Sequence, residues 1–103
     1  MNPPVHFIAH FTVNDPDEYR RYEKGFFPVL KPHGARFVTY DDSVTALEGE
    51  RAEGRTVIIE FDDEETLMNW WNSDEYRELA KLRHTSTTTH SVSVVHPPPA
   101  RGN

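Results

Sequence analysis

Cysteine is absent from the chain, which excludes disulfides, zinc–thiolate sites and cysteine nucleophiles. Long apolar runs are absent too. None approaches the roughly 18 residues of a membrane-spanning helix, so no membrane partner is expected. Positive charge is in short supply, with 11 Lys and Arg against 17 Asp and Glu and a formal net charge of −6. Scattered cations in an acidic chain argue against a phosphate-binding surface, and so against nucleic acid or anionic lipid as partners. The opening "MNPPVHF" lacks the basic segment and apolar core of a signal peptide, and a cytoplasmic location is the expectation. Glycine-rich phosphate loops and the G-x-S-x-G elbow of serine hydrolases are also missing.

What remains is a chain of 103 residues, 36% hydrophobic and 27% charged. That length suits one domain with a modest core, and small domains often gain a second core by dimerising. The expected boundaries are residues 1–96 for the domain and 97–103 for a disordered tail, since "HPPPARGN" cannot enter a sheet interior.

The stretch "VHFIAHFTV" follows two prolines and alternates apolar and mostly polar residues, which predicts a strand over Val5–Val13. Asp15 is a candidate N-cap, Pro16 fits the first helical position, and Tyr19, Tyr22 and Phe26 share one helical face. Gly25 and Pro28 predict a kink or break near Phe27. A second strand is expected over Ala35–Tyr40, with "VTALEG" continuing in extended form. A third is expected over Thr56–Phe61. Asp62 or Asp63 caps a second helix, Ser73 offers a fresh cap, and Tyr76, Leu79, Ala80 and Arg83 share a face after it. "RHTSTTTH" reads as a polar linker into a last strand, "HSVSVV".

The order β-α-β-β-α-β is the ferredoxin-like pattern of an α+β fold. Right-handed crossovers put the first and third strands at the centre of a four-stranded antiparallel sheet with both helices on one face. Val5, Phe7, Ala9, Phe11, Val13, Val57, Ile59 and Phe61 belong to that helix-covered face. His6, Ile8, His10, Thr12, Thr56, Ile58 and Glu60 belong to the other, together with Val95. Two such half-polar faces packed together would form a dimeric α/β barrel, so the expected partner is a second copy.

His6 and His10 are four residues apart. On a strand that is roughly 13 Å, too far for two ligands of one metal, each bonded at about 2 Å. No metal site is expected from them, and no cofactor. His10 can serve as an acid or base, and Glu60 points to the same side of the sheet. A carboxylate there needs either a raised pKa or a cationic partner, for which His10, His6 and Arg36 are the candidates. A polar cluster fixing a dimer interface is the competing account. Tyr22, Trp71 and Tyr76, with Tyr19 and Trp70, suggest an aromatic pocket between helices and sheet, with core packing as its rival. Adjacent tryptophans cannot share a helical face, and Trp71 is assigned to the core, Trp70 to an edge or interface.

"DPDEYRRY", "HGARF", "ALEGE", "VIIEF" and "WWNSDEYRELAKLR" occur in that order. Together they resemble the "domain of unknown function 1330" family of the dimeric α/β-barrel superfamily, over about Val5 to Val95. Gly34-Ala35 stands where the family usually has two glycines, and Val95-His96 where it usually has a Glu-Gly pair. The resemblance implies a ferredoxin-like protomer and a homodimer, and no established reaction. Three functions are carried forward. One is cofactor-independent binding or transformation of a small aromatic or carbonyl compound, with His10 and Glu60 as catalytic acid/base groups and His6, Tyr22, Arg36, Trp71 and Tyr76 around the pocket. The second is a non-catalytic homodimeric interaction or regulatory protein with a structural polar interface. The third is a haem- or metal-dependent enzyme using one histidine per subunit.

Overall fold

The computed structural model describes residues 3–99. Its elements are β1 (Val5–Val13), α1 (Pro16–Leu30) with a 3-10 turn at Lys31–His33, β2 (Arg36–Asp41), β3 (Arg55–Phe61), α2 (Glu64–Trp71), α3 (Asp74–Ser86) and β4 (Thr87–Val95). The sheet order is β2-β3-β1-β4, all neighbours antiparallel. This is the α+β ferredoxin-like arrangement, with the apolar stripes of β1 and β3 buried beneath the helices. The stripe works because successive strand residues face opposite sides of the sheet. Val5, Phe7, Ala9 and Phe11 are buried, while His6, Ile8 and His10 are partly exposed.

Local chemistry sets the helix starts. Asp15 accepts from the Glu18 amide at 3.2 Å, and Asp63 from the Thr66 amide at 2.8 Å. Ser73 both ends α2 and begins α3. Its hydroxyl donates to the Trp70 carbonyl at 2.8 Å and accepts from the Tyr76 amide at 3.2 Å. The second helical region is therefore two helices rather than one. Tyr76, Ala80 and Arg83 form the buried face of α3.

Several expectations are corrected. The break near Phe27 does not occur, since α1 runs through Pro28 to Leu30. Pro28 lies on the exposed side, where water can satisfy the carbonyl left unbonded, and Phe26 and Leu30 anchor the helix on either side. "VTALEG" forms no strand; residues 42–54 are loop. "RHTSTTTH" is no linker. Arg83–Ser86 complete α3, and Thr87 already belongs to β4. The junction is closed by the Ser86 and Thr87 hydroxyls, which donate to the carbonyls of Leu82 at 2.5 Å and Arg83 at 2.6 Å.

The tryptophan assignment is reversed. Trp70 is fully buried and Trp71 only partly so. Leu67 and Trp70 are three apart and share the inner face of α2; Trp71, one residue on, is rotated away from it. The Trp70 ring meets Phe7 edge-on at 5.1 Å and Tyr76 at 4.3 Å. Of the expected tail, Pro97–Pro99 have no regular structure, and the rest lies outside the described residues.

Candidate functional site

On the open face, register decides which histidine meets Glu60. His6 pairs with Glu60 across β1 and β3, whereas His10 stands opposite Thr56. Glu60 accepts from Arg36 at 2.6 Å and lies 3.2 Å from His6 Nε2. Arg36 also reaches Asp62 at 3.0 Å. Arg36 first, then His6, holds the Glu60 carboxyl below its ordinary range. Of the two alternatives for Glu60, the sheet supplies the cationic partner. A carboxylate stabilised in its ionised form is a poor proton donor near neutral pH.

His10 has a different neighbourhood. Its Nε2 lies 3.1 Å from the Ala52 carbonyl, and its ring is 4.7 Å from that of His90. A bulge makes the second contact possible. His10 pairs with Ser91 and Phe11 with Thr89, leaving His90 as an additional residue in β4. Burial, then the charges of Arg51 and His90, lower the His10 pKa. Among the described residues no group of three or more His, Cys, Asp or Glu side chains is arranged to hold a metal.

Tyr22 and Tyr76 lie on the other side of the sheet, where a cavity of about 130 Å³ opens between α1 and the strands. Phe7, Ala9, Phe11 and Val57 form its floor, and Tyr19, Tyr22 and Phe26 of α1 form its roof. Phe27, Phe37 and Tyr40 flank it at the β2 side, each partly uncovered. The lining is mostly apolar, with a few polar groups converging on it, as in many ligand pockets. The Tyr22 and Tyr76 hydroxyls bond each other at 2.8 Å in the interior. Burial, and then each other's proximity, push the Tyr22 hydroxyl well above its usual pKa. Tyr19 is pushed up to about 12, chiefly by burial, against the opposing charge of Arg55.

Two arginines line the cavity. Arg55 is held by Asp42 at 2.8 and 3.1 Å and by Glu23 at 3.0 Å. Its guanidinium lies 4.4 Å from the Tyr40 ring centre and 5.4 Å from that of Tyr19. Arg83 approaches from α3 and is 4% exposed.

The expected site residues therefore divide between two faces. Tyr22 and Tyr76 meet in the cavity. Trp71 packs beside Tyr76 at 5.4 Å and does not line it. His6, Arg36, Glu60 and His10 lie across the sheet, and only the first three cluster. Arg55 and Arg83 were not singled out as site residues. Arg55 continues the parity of Val57, Ile59 and Phe61 onto the helix face, and Arg83 shares an apolar helical face with Tyr76 and Ala80, so both were traceable.

Solved structures share this fold. The RPA0582 protein of unknown function from Rhodopseudomonas palustris aligns with a TM-score of 0.73 at 16% identity, over 99% of this chain and 86% of that one. SnoaB, a cofactor-independent oxygenase from Streptomyces nogalater, aligns at 0.59 and 16%, over 97% and 98%. A dimeric ferredoxin-like protein of unknown function from Thermobifida fusca aligns at 0.54 and 14%, over 89% and 87%. At such identities the likeness is one of fold. No curated protein matches the sequence. A family model does, across residues 4–96, and by that match the chain belongs to the family described as Domain of unknown function (DUF1330).

Proposed function

We propose that this protein binds a small, ring-sized, largely apolar molecule inside each subunit, without a cofactor, and that its open sheet face packs on a second copy. The observation that carries the binding role is the cavity. An apolar void of about 150 Å³ holds one benzene, and the cavity here is about 130 Å³ with tyrosines, Glu23 and two arginines in its lining. Aromatic walls and a few converging polar groups favour a single ring bearing a polar substituent. Support for self-association comes from Ile8 and Ile58, partly exposed at the middle of the open face, and from Val95, 46% exposed opposite His6 on the same face. In this reading His10 and Glu60 act at the interface. The acid/base role first expected of them gives way because they lie across the sheet from the cavity.

Benzyl alcohol, a neutral single-ring probe, tests the binding role by ligand-observed NMR. Saturation transfer is expected with the wild-type protein and not with Ala9→Leu, which places a larger side chain in the void. Equal transfer from both proteins, or none from the wild type, would reject the cavity as the binding site. Native mass spectrometry of the freshly purified protein tests the assembly. A dimer weakened by Glu60→Gln is expected, and a monomer at micromolar concentration rejects the interface.

A further inference from the structure

Arg83 is a buried cation without a counter-ion. It lines the cavity from α3 and is 4% exposed, yet none of the ion pairs among the described residues involves it. Its partners are neutral. Nη1 donates to the Thr89 hydroxyl at 3.3 Å, and Nη2 lies 3.2 Å from His84 Nε2. A guanidinium has no acceptor atom, so in that contact the imidazole nitrogen must accept. His84 is suited to this, because burial and then the charge of Arg83 lower its pKa. The Trp71 ring lies 5.9 Å from the guanidinium carbon.

A guanidinium carries five N–H donors in a planar fork. Two of them are used here, both at long range. Charges this buried are ordinarily paired, since desolvating an unpaired one is strongly unfavourable. Arg55, the other cavity arginine, obeys that rule through Asp42 and Glu23. The cavity thus has one neutralised cation and one that is not.

The un-neutralised one lines the same cavity as the tyrosine pair, and its charge acts on the Tyr22 hydroxyl. When two hydroxyls share one hydrogen bond, one O–H hydrogen is left over. The Tyr22–Tyr76 pair therefore has a donor to spare, and both tyrosines line the same cavity as Arg83. Donors of this kind in the lining of a mostly apolar cavity match a planar anion attached to a ring.

We propose that Arg83 binds the carboxylate of a monocyclic aromatic acid whose ring occupies the cavity. This rests on the cavity being the binding site, and it adds the chemical class of the ligand. The acid supplies the counter-ion that the folded protein lacks, and a cavity of about 130 Å³ is of the size of one ring.

Titration calorimetry at neutral pH with benzoate, its neutral isostere benzamide, and benzyl alcohol tests the proposal. Benzoate should bind at least about tenfold more tightly than benzamide, as expected for hydrogen bonds to a charged group. Arg83→Met should bring the two within about threefold by weakening benzoate alone, and Arg83→Lys should keep part of the preference. At saturation the Arg83 Nε–Hε resonance of the wild-type protein should shift further with benzoate than with benzamide, as a charged acceptor requires, a readout that needs no variant. If benzyl alcohol binds but benzoate is no tighter than benzamide, the Arg83 proposal is overturned and the cavity reading stands. If none of the three binds, both fall. A benzoate preference that survives in a folded Arg83→Met protein overturns the assignment to Arg83.

Discussion

The hydroxyl pair of Tyr22 and Tyr76 lends itself to a double-mutant cycle. Both side chains are almost completely buried, at 5% and 2% exposure, and their oxygens are 2.8 Å apart. Replacing either by Phe keeps the ring, and with it the 4.3 Å contact of Tyr76 with Trp70. What changes is that the remaining hydroxyl loses its hydrogen-bond partner in the interior. Such an orphan is destabilising by about 1–3 kcal/mol, whereas removing both partners can be nearly neutral. Tyr22→Phe and Tyr76→Phe should thus each lower stability by about 1–2 kcal/mol. The double variant should lose no more than either alone, a coupling of about 1 kcal/mol or more. Urea denaturation at one fixed protomer concentration measures this, because association would otherwise shift the midpoint. Thermal melts should move by about 4–8 °C for each kcal/mol. Burial holds the Tyr22 hydroxyl far above its ordinary pKa, so the coupling should be the same at about pH 6 and about pH 9. Losses that add to within about 0.5 kcal/mol would refute the reasoning, since they would mean that neither hydroxyl depends on the other.

Other outcomes follow from packing, backbone and charge. Trp70→Ala should lower stability by about 3–5 kcal/mol in urea, and Trp71→Ala by about half that or less, because only Trp70 is enclosed on all sides. Gly54 has φ 135°, and a Cβ there would run into the Phe11 carbonyl; Gly54→Ala should lower the melting midpoint, with a loss of about 1–3 kcal/mol. His10 and His84 both have pKa values held below the ordinary histidine value, chiefly by burial. The unfolded chain therefore takes up their protons first, and stability should fall as pH drops from about 6.5. Denaturation midpoints recorded across pH 5 to 7 should show a shallower slope for His84→Gln, and an unchanged slope would remove His84 from the account.

Much of the architecture was legible because it rests on local rules. The alternation in "VHFIAHFTV" marks a strand and its two faces, and Asp15, Pro16, Asp63 and Ser73 mark helix starts through hydrogen bonds that span three residues. The errors arose where distant contacts outweigh local preference. Pro28 argues for a break, yet the buried Phe26 and Leu30 hold α1 together. The hydroxyls of "TSTTT" look like loop, yet they fold back onto α3 carbonyls or enter β4. Periodicity placed Glu60, His6 and His10 on one face, but only pairing register joins Glu60 to His6. The cavity was half legible. Tyr22 and Tyr76 lie on helical faces that periodicity recovers, whereas the hydrogen bond between them depends on how α1 and α3 pack.

The position of β1 bears on how this chain comes to fold. It pairs with β3 on one side and with β4 on the other, so its second neighbour lies nearly the whole chain away. Until β4 has been synthesised, one edge of β1 has no partner, and the strand is a template for wrong pairings. Closing such distant pairings is slow compared with the local contacts of a helical bundle. The neighbouring β2 and β3 are separated by one loop and can pair early. A newly made chain would then depend longest on whatever shields the β1 edge, and solubility during synthesis, more than stability once folded, is where substitutions in β4 should first be felt.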